Sequence, residues 1–307
     1  MLLVNTRTLC YHCIMSSRSI EKTEKILVKL YESLKEIGNK DLLSVKVPQT
    51  IVKLDITSRS LLRKCKLIDL KSLIPEKEYF VFKFGEKISR PINKNIFNID
   101  LPRKYSTLYL ENNLTVLEKE DLMKLLYTLS MSFCAAIDIL RVGNKKTPAT
   151  FFEKFVGNLF ARELNVKPTN TLEMLNDENL ATDYIFKTEK KKADIHLQIK
   201  LSTRERAIEA WAHQRIIDGI FGVETYRGIL VVLSETNIKR SNMNVVDVCV
   251  PNQWGLYQKY ISKLYRVYYL DVPTRTENLH LVEPYIQVKH LSEFFFEKDR
   301  FLIRSMD

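Results

Sequence analysis

Apolar residues fall into two rhythms along the chain, and the change from one to the other predicts its elements. Helical spacing comes first. From Glu21 to Ile37 the residues Ile26, Leu27, Leu30, Tyr31, Leu34 and Ile37 form one stripe, which Gly38 is expected to end. The same spacing returns from Lys119 to Arg141 through Leu122, Leu125, Leu126, Leu129, Phe133 and Ile137, and stops near Gly143. A third helix opens with Thr147 as cap and Pro148 in the first turn, and buries Phe152, Phe155, Val156, Leu159 and Phe160. Between the first two helices the signals are short. Ile51–Ile56 and Tyr79–Phe84 read as strands from their aromatic and β-branched content, and Pro75, Pro91 and Pro102 punctuate loops. The run from Ser58 to Lys66 concentrates positive charge beside two leucines, as a DNA-tracking segment or a solvated amphipathic turn would.

Period-two alternation takes over at residue 182. In Thr182–Lys187, Tyr184 and Phe186 share one face while Asp183 and Ile185 share the other. After a charged turn, Ala193–Leu201 alternates again, with Ile195, Leu197 and Ile199 opposite Asp194, His196, Gln198 and Lys200. Ser202 and Glu205 have capping-box spacing and predict a helix running to Phe221. Ile229–Leu233 is a continuous apolar run of the kind found in a strand covered on both faces. A helix over Gln253–Lys263 and a strand over Tyr265–Leu270 complete the pattern, and the tail is aromatic around Phe294–Phe296. The joint after Gly143 divides the chain into residues 1–145, largely helical and suited to DNA recognition or dimerisation, and residues 146–307, which carry the chemistry.

If the two alternating runs form an antiparallel hairpin, Asp183 comes beside Gln198 and Lys200. A carboxylate facing an amide oxygen offers hard-oxygen ligands to Mg²⁺, and the neighbouring amine can meet a metal-bound water or a phosphate oxygen. Asp183, a gap of about fifteen residues, then Gln198-Ile199-Lys200 resembles the PD-(D/E)xK nuclease motif. The surrounding order of elements resembles the αβββαβ core of type II restriction endonucleases, over roughly Thr147 to Pro273. Two positions depart from the pattern: Gln198 stands for a carboxylate, a variant seen in that family, and Thr182 stands for the usual Pro. The resemblance implies that Asp183 and Gln198 hold Mg²⁺ and that Lys200 orients the attacking water. Two roles are open to Asp194, a further metal ligand or a cap on the turn. Glu153 either reaches towards the metal, as a Glu on the first core helix does in the family, or pairs with a surface Lys. Ser202, Thr203, Arg204 and Arg206, just after Lys200, are expected to contact the DNA backbone, and Trp211, His213 and Gln214 either support the site or fill the core.

Composition adds a partner and a setting. A formal net charge of +11 favours a polyanion, although a Lys-rich composition alone can have the same result. No uninterrupted apolar run of about eighteen residues argues for a membrane span. Five cysteines, at 10, 13, 65, 134 and 249, fit a reducing, cytoplasmic setting rather than a disulfide framework, and Cys10-x-x-Cys13 has no second pair at zinc spacing. The first twenty residues, poor in acids, read as a loosely ordered arm.

The expected fold is therefore mixed α/β with a restriction-endonuclease-like αβββαβ core. The expected function is a Mg²⁺-dependent type II endonuclease on double-stranded DNA, working as a homodimer beside a cognate methyltransferase of the same bacterial system. Two alternatives remain: a repair or structure-specific nuclease on the same core, and a DNA-binding protein without catalysis.

Overall fold

The structure is a computed structural model that describes residues 17–189, 193–202, 207–234, 236–239, 243–248, 253–273, 286 and 288–303. The N-terminal arm up to residue 16, with Cys10 and Cys13, lies outside the described residues, as do Cys249, Thr203, Arg204, Glu205 and Arg206.

Two helices open the chain, α1 (Ser17–Lys40) and α2 (Lys46–Leu62). The first runs through Gly38 rather than ending there. The second contains Ile51–Ile56, expected as a strand. Val47, Ile51, Leu54, Ser58 and Leu61 are buried at helical spacing, and that face outweighs the β-branched content. Arg59 folds back one turn onto buried Asp55, 2.7 Å away, and Arg63 reaches Asp100. The basic run is thus partly consumed by internal pairs.

A small antiparallel sheet follows, built around β2 (Tyr79–Phe84) with β1 (Lys66–Leu70), β3 (Lys87–Ile88) and β4 (Ile92–Asn93). After α3 (Arg103–Glu111) comes α4 (Lys119–Leu140). By length and composition α4 could cross a membrane, but it is mostly buried inside the protein. Its partners include α2 and the next helix, α5 (Lys146–Leu164). Asn144 Oδ1, rather than Thr147, caps that helix by accepting the Thr147 N–H at 3.0 Å.

From α5 onwards the order is αβββαβ: β5 (Thr169–Glu173), β6 (Asn179–Phe186), β7 (Asp194–Lys200), α6 (Ile208–Phe221) and β8 (Tyr226–Val232). Strand β5 occupies a stretch whose polar residues gave no alternation. Beyond β8 lie a hairpin of β9 (Thr236–Lys239) and β10 (Asn244–Val248), helix α7 (Trp254–Tyr260), β11 (Arg266–Tyr269), β12 (Val288–His290) and α8 (Phe294–Leu302). Among the described residues the main sheet has the order β12-β11-β8-β7-β6-β5, parallel from β12 to β7 and antiparallel from β7 to β5.

One continuous core covers a face of this sheet. Ile195, Leu197 and Ile199 of β7, with Tyr184 and Phe186 of β6, pack among α1, α2, α4 and α5. The opposite face of β8 and β11 packs on α6 and α7 through Trp211, Trp254, Leu230 and Tyr269. Helix α5 buries Phe151, Phe152, Phe155 and Phe160, each contributing about 1.5–3 kcal/mol by leaving water. The helix also needs Gly157, since a Cβ there would stand 2.5 Å from the Tyr184 ring. That close approach lets the Tyr184 ring cross α5 at the level of Glu153.

Candidate active site

The polar face of β7 divides into three parts with different fates. At its start, Asp194 accepts the N–H of Thr188 at 2.8 Å and so closes the turn between β6 and β7. Lys200 is six positions further on, roughly 20 Å along a strand. Asp194 is the turn's cap, and it is too far from Lys200 to share a metal with it.

In the middle, His196 and Gln198 are buried in a directed chain of hydrogen bonds. Gln214 Nε2 donates to Asp218 and to the Tyr226 carbonyl, at 2.7 and 2.8 Å, which fixes its Oε1 towards His196. His196 Nδ1 must then carry the proton for the 2.9 Å bond to that oxygen, leaving Nε2 to accept from Thr182 Oγ1 at 3.0 Å. Thr182 in turn accepts from Gln198 Nε2 at 2.6 Å, and the other amide hydrogen faces His213 Nδ1 at 3.2 Å. Burial lowers the His196 pKa to about 4, so the ring is neutral at physiological pH. Gln198 spends its amide nitrogen inside this chain, and its Oε1 is buried without a hydrogen-bond partner. The side chain expected to hold a metal is absent from the cleft lining described next.

At the end of β7 the pattern opens. Pairing between β5 and β6 shifts here: Thr169 opposes Ile185 while Thr171 opposes Ala181, so two steps on one strand span four on the other. This bulge falls on Thr182 and Asp183, and bulges re-aim side chains. Asn170 holds it by donating to the Asp183 carbonyl at 2.6 Å. The Asp183 carboxylate consequently takes the N–H of Ile199 on Oδ2 at 2.7 Å, leaving Oδ1 without a protein partner among the described residues. Next to it Lys200 Nζ lies 3.0 Å from Glu209 Oε2, in the first turn of α6.

Asp183, Lys200 and Glu209 line one open cleft of about 950 Å³, with Ser202, Arg90, Lys145 and Lys146 on its walls. Burial is the largest influence on Asp183, and Glu153 and Glu209 also push its pKa up, against Lys200 and the Ile199 N–H; the result is about 6. Glu153 stands behind the cleft, accepting from Tyr184 Oη at 3.1 Å and from Lys154 Nζ at 3.0 Å. Lys154 also donates to Tyr184 at 3.0 Å, so the three side chains form one buried cluster under Asp183.

Of the residues expected at the site, Asp183, Lys200 and Ser202 meet in the cleft. Glu153 is adjacent, and Gln198 and Asp194 are elsewhere. Helix α6 begins at Ile208 instead of directly after Lys200, and the expected contacts at Thr203, Arg204 and Arg206 lie outside the described residues. Glu209 was not anticipated. Its nine-residue distance from Lys200 carries no local signal unless the start of α6 is known. Trp211 belongs to the core, where Nε1 donates to Gln258 at 2.9 Å, while Gln214 and His213 buttress the strand.

The cleft offers oxygen donors: an accessible Asp183 Oδ1 and the Glu209 carboxylate, crowded enough that a cation between them would relieve their repulsion. One or two carboxylates completed by water and phosphate suit Mg²⁺. Among the described residues no group of three or more His, Cys, Asp or Glu converges as a self-sufficient metal cage.

No family model matches the sequence, and no curated protein matches it either. The structure is similar to the crystal structure of Type IIP restriction endonuclease Kpn2I, with a TM-score of 0.75 over 90% of this chain and 97% of that one, at 24% sequence identity. The chain therefore has a restriction-endonuclease-like fold.

Proposed function

We propose that this chain is a Mg²⁺-dependent type II endonuclease that hydrolyses double-stranded DNA at a specific short sequence. One observation carries the reading: a β-bulge turns Asp183 into a cation-walled cleft beside the Lys200–Glu209 pair, on an αβββαβ core. The likeness to a Type IIP restriction endonuclease supports it independently.

Asp183 and Glu209 would hold the ion. Bound there, Mg²⁺ supplies polarisation of the phosphoryl oxygens and a more acidic water. The protein's own side chains do the rest. The Ile199 N–H anchors one oxygen of Asp183, so its partner oxygen is presented in a fixed direction. Glu209 steers the Lys200 ammonium, which donates to a non-bridging phosphate oxygen and stabilises the charge that builds up as water attacks. Glu153, held by Tyr184 and Lys154, stands behind Asp183 and pushes its pKa up. As a type II endonuclease the protein would act as a homodimer on a near-palindromic site, with a methyltransferase guarding the host sequence.

Incubating the protein with phage DNA and Mg²⁺ tests the reading. Discrete fragments that disappear with EDTA and with Lys200→Ala are expected. A smear or structure-dependent nicking would point to a repair-type nuclease, and binding without cutting would leave a DNA-binding protein.

A further inference from the structure

The cleft contains more positive charge than its two carboxylates need. Besides Lys200, its walls carry Arg90, Lys145 and Lys146, from parts of the chain far from the motif. Arg90 lies between β3 and β4 of the small sheet, and the lysines sit at the start of α5.

Arg90 is held in place. Its backbone N–H and Nε both donate to Asp138 Oδ2, at 2.9 and 2.7 Å, and Nη2 donates to Oδ1 at 2.8 Å. Asp138 lies in the last turn of α4, so the main helix of the core fixes the guanidinium plane. This grip uses one edge of the fork. Nη1 has no partner among the described residues, and the residue lines the cleft. A guanidinium pinned along one edge, with its remaining donors in an open cleft, is preorganised for an oxyanion.

Lys145 and Lys146 are both exposed and form no ion pair among the described residues. By contrast, Lys35, Lys40 and Lys124 each pair with a glutamate one helical turn away. Lys145 and Lys146 stand as exposed cations on the wall of the cleft that Asp183 and Lys200 line. One scissile phosphate needs only Lys200 and the metal, so the additional cations fit the polyanion to either side of it.

We infer that Arg90, Lys145 and Lys146 grip DNA backbone phosphates flanking the one that is cut, with Asp138 as the positioning residue for Arg90. This rests on the nuclease reading above. It gives the N-terminal half of the chain a direct part in holding the strand.

The test follows binding of a labelled mixed-sequence DNA duplex to the full-length protein by anisotropy as KCl is raised, together with cleavage of phage DNA. Arg90→Ala should weaken binding roughly tenfold or more and flatten the slope of log K against log salt by about one. The pair Lys145→Ala and Lys146→Ala, on exposed side chains that leave the core intact, should flatten it by about two. Asp138→Asn should raise KM more than it lowers kcat, because Arg90 remains but is no longer aimed. Arg90→Lys, which keeps the charge, should restore most of the salt slope but not the full affinity. If the wild type binds and cuts while Arg90→Ala and the double lysine variant match it in affinity and slope, the inference is overturned and the nuclease reading stands. If the wild type neither binds nor cuts the duplex, both fall together.

Discussion

The middle of β7 and its end beside Asp183 of β6 both carry polar side chains and have opposite characters. Around His196 and Gln198 the donors have acceptors in a chain that runs from His213 to Asp218, with Gln198 Oε1 as its one buried atom without a partner among the described residues. Around Asp183 the groups are crowded and incompletely matched: two further carboxylates raise its pKa, and one of its oxygens has no protein partner among the described residues. Satisfied polar networks rigidify, whereas strained and underpartnered ones wait for a ligand. The difference teaches that an imidazole and an amide on the face of a strand can be scaffold, while the candidate site begins where the ladder breaks.

The largest effect is expected from removing the charge at the crowded end. Asp183→Asn keeps an acceptor for the Ile199 N–H but should reduce cleavage by roughly 10³-fold. It should also stabilise the metal-free protein. Asp183 has a folded pKa of about 6 against an ordinary 3.8, so its ionisation opposes folding above pH 6 and that cost fades as the pH falls to 3.8. A shift of about two units corresponds to roughly 3 kcal/mol at neutral pH. Urea unfolding with and without Mg²⁺ checks both parts: the wild type should gain stability from the ion and the variant should not.

The satisfied middle should respond to acid instead. Burial lowers His196 to about 4 and His290 to about 3, from an ordinary 6.5. Neutral rings therefore favour the folded state above pH 6.5, and that contribution is lost as the pH falls towards 4. For His196 it amounts to roughly 3 kcal/mol. Comparing wild type with His196→Asn by urea unfolding should show an advantage for the wild type that shrinks below pH 6.5. A constant difference would mean that the ring is not held neutral.

A smaller effect is expected at Gly228. A Cβ there would stand 2.5 Å from Gln214 Oε1 and displace the group that fixes the His196 tautomer. Gly228→Ala should cost about 1–3 kcal/mol in thermal or urea unfolding, with cleavage at low temperature retained. The smallest effect belongs to the turn. Asp194→Ala removes the acceptor for Thr188 and should cost about 1 kcal/mol while leaving cleavage at the wild-type rate.

The sequence made the scaffold legible where patterns were long. Lys119–Leu140 and Tyr79–Phe84 form the expected helix and strand, and the two alternating runs pair antiparallel, with Tyr184 opposite Leu197. Ile51–Ile56 misled because four apolar residues, three of them β-branched, in a six-residue run suit either element, and only burial along all of α2 decides. Asp183 and Lys200 could be brought together by alternation alone. Glu209 could not, because its place depends on where α6 starts, and neither could Arg90, which reaches the cleft through tertiary packing. The bulge at Asp183 was equally hidden: no glycine marks it, and it arises from the mismatch between β5 and β6.

Side-by-side cleavage of phage DNA in Mg²⁺ by Glu209→Gln and Gln198→Met is the most direct measurement. Loss of fragments with Glu209→Gln and near wild-type cutting with Gln198→Met would show that the helix supplies the second acid and the strand amide is scaffold. Full activity in Glu209→Gln with none in a folded Gln198→Met would contradict it.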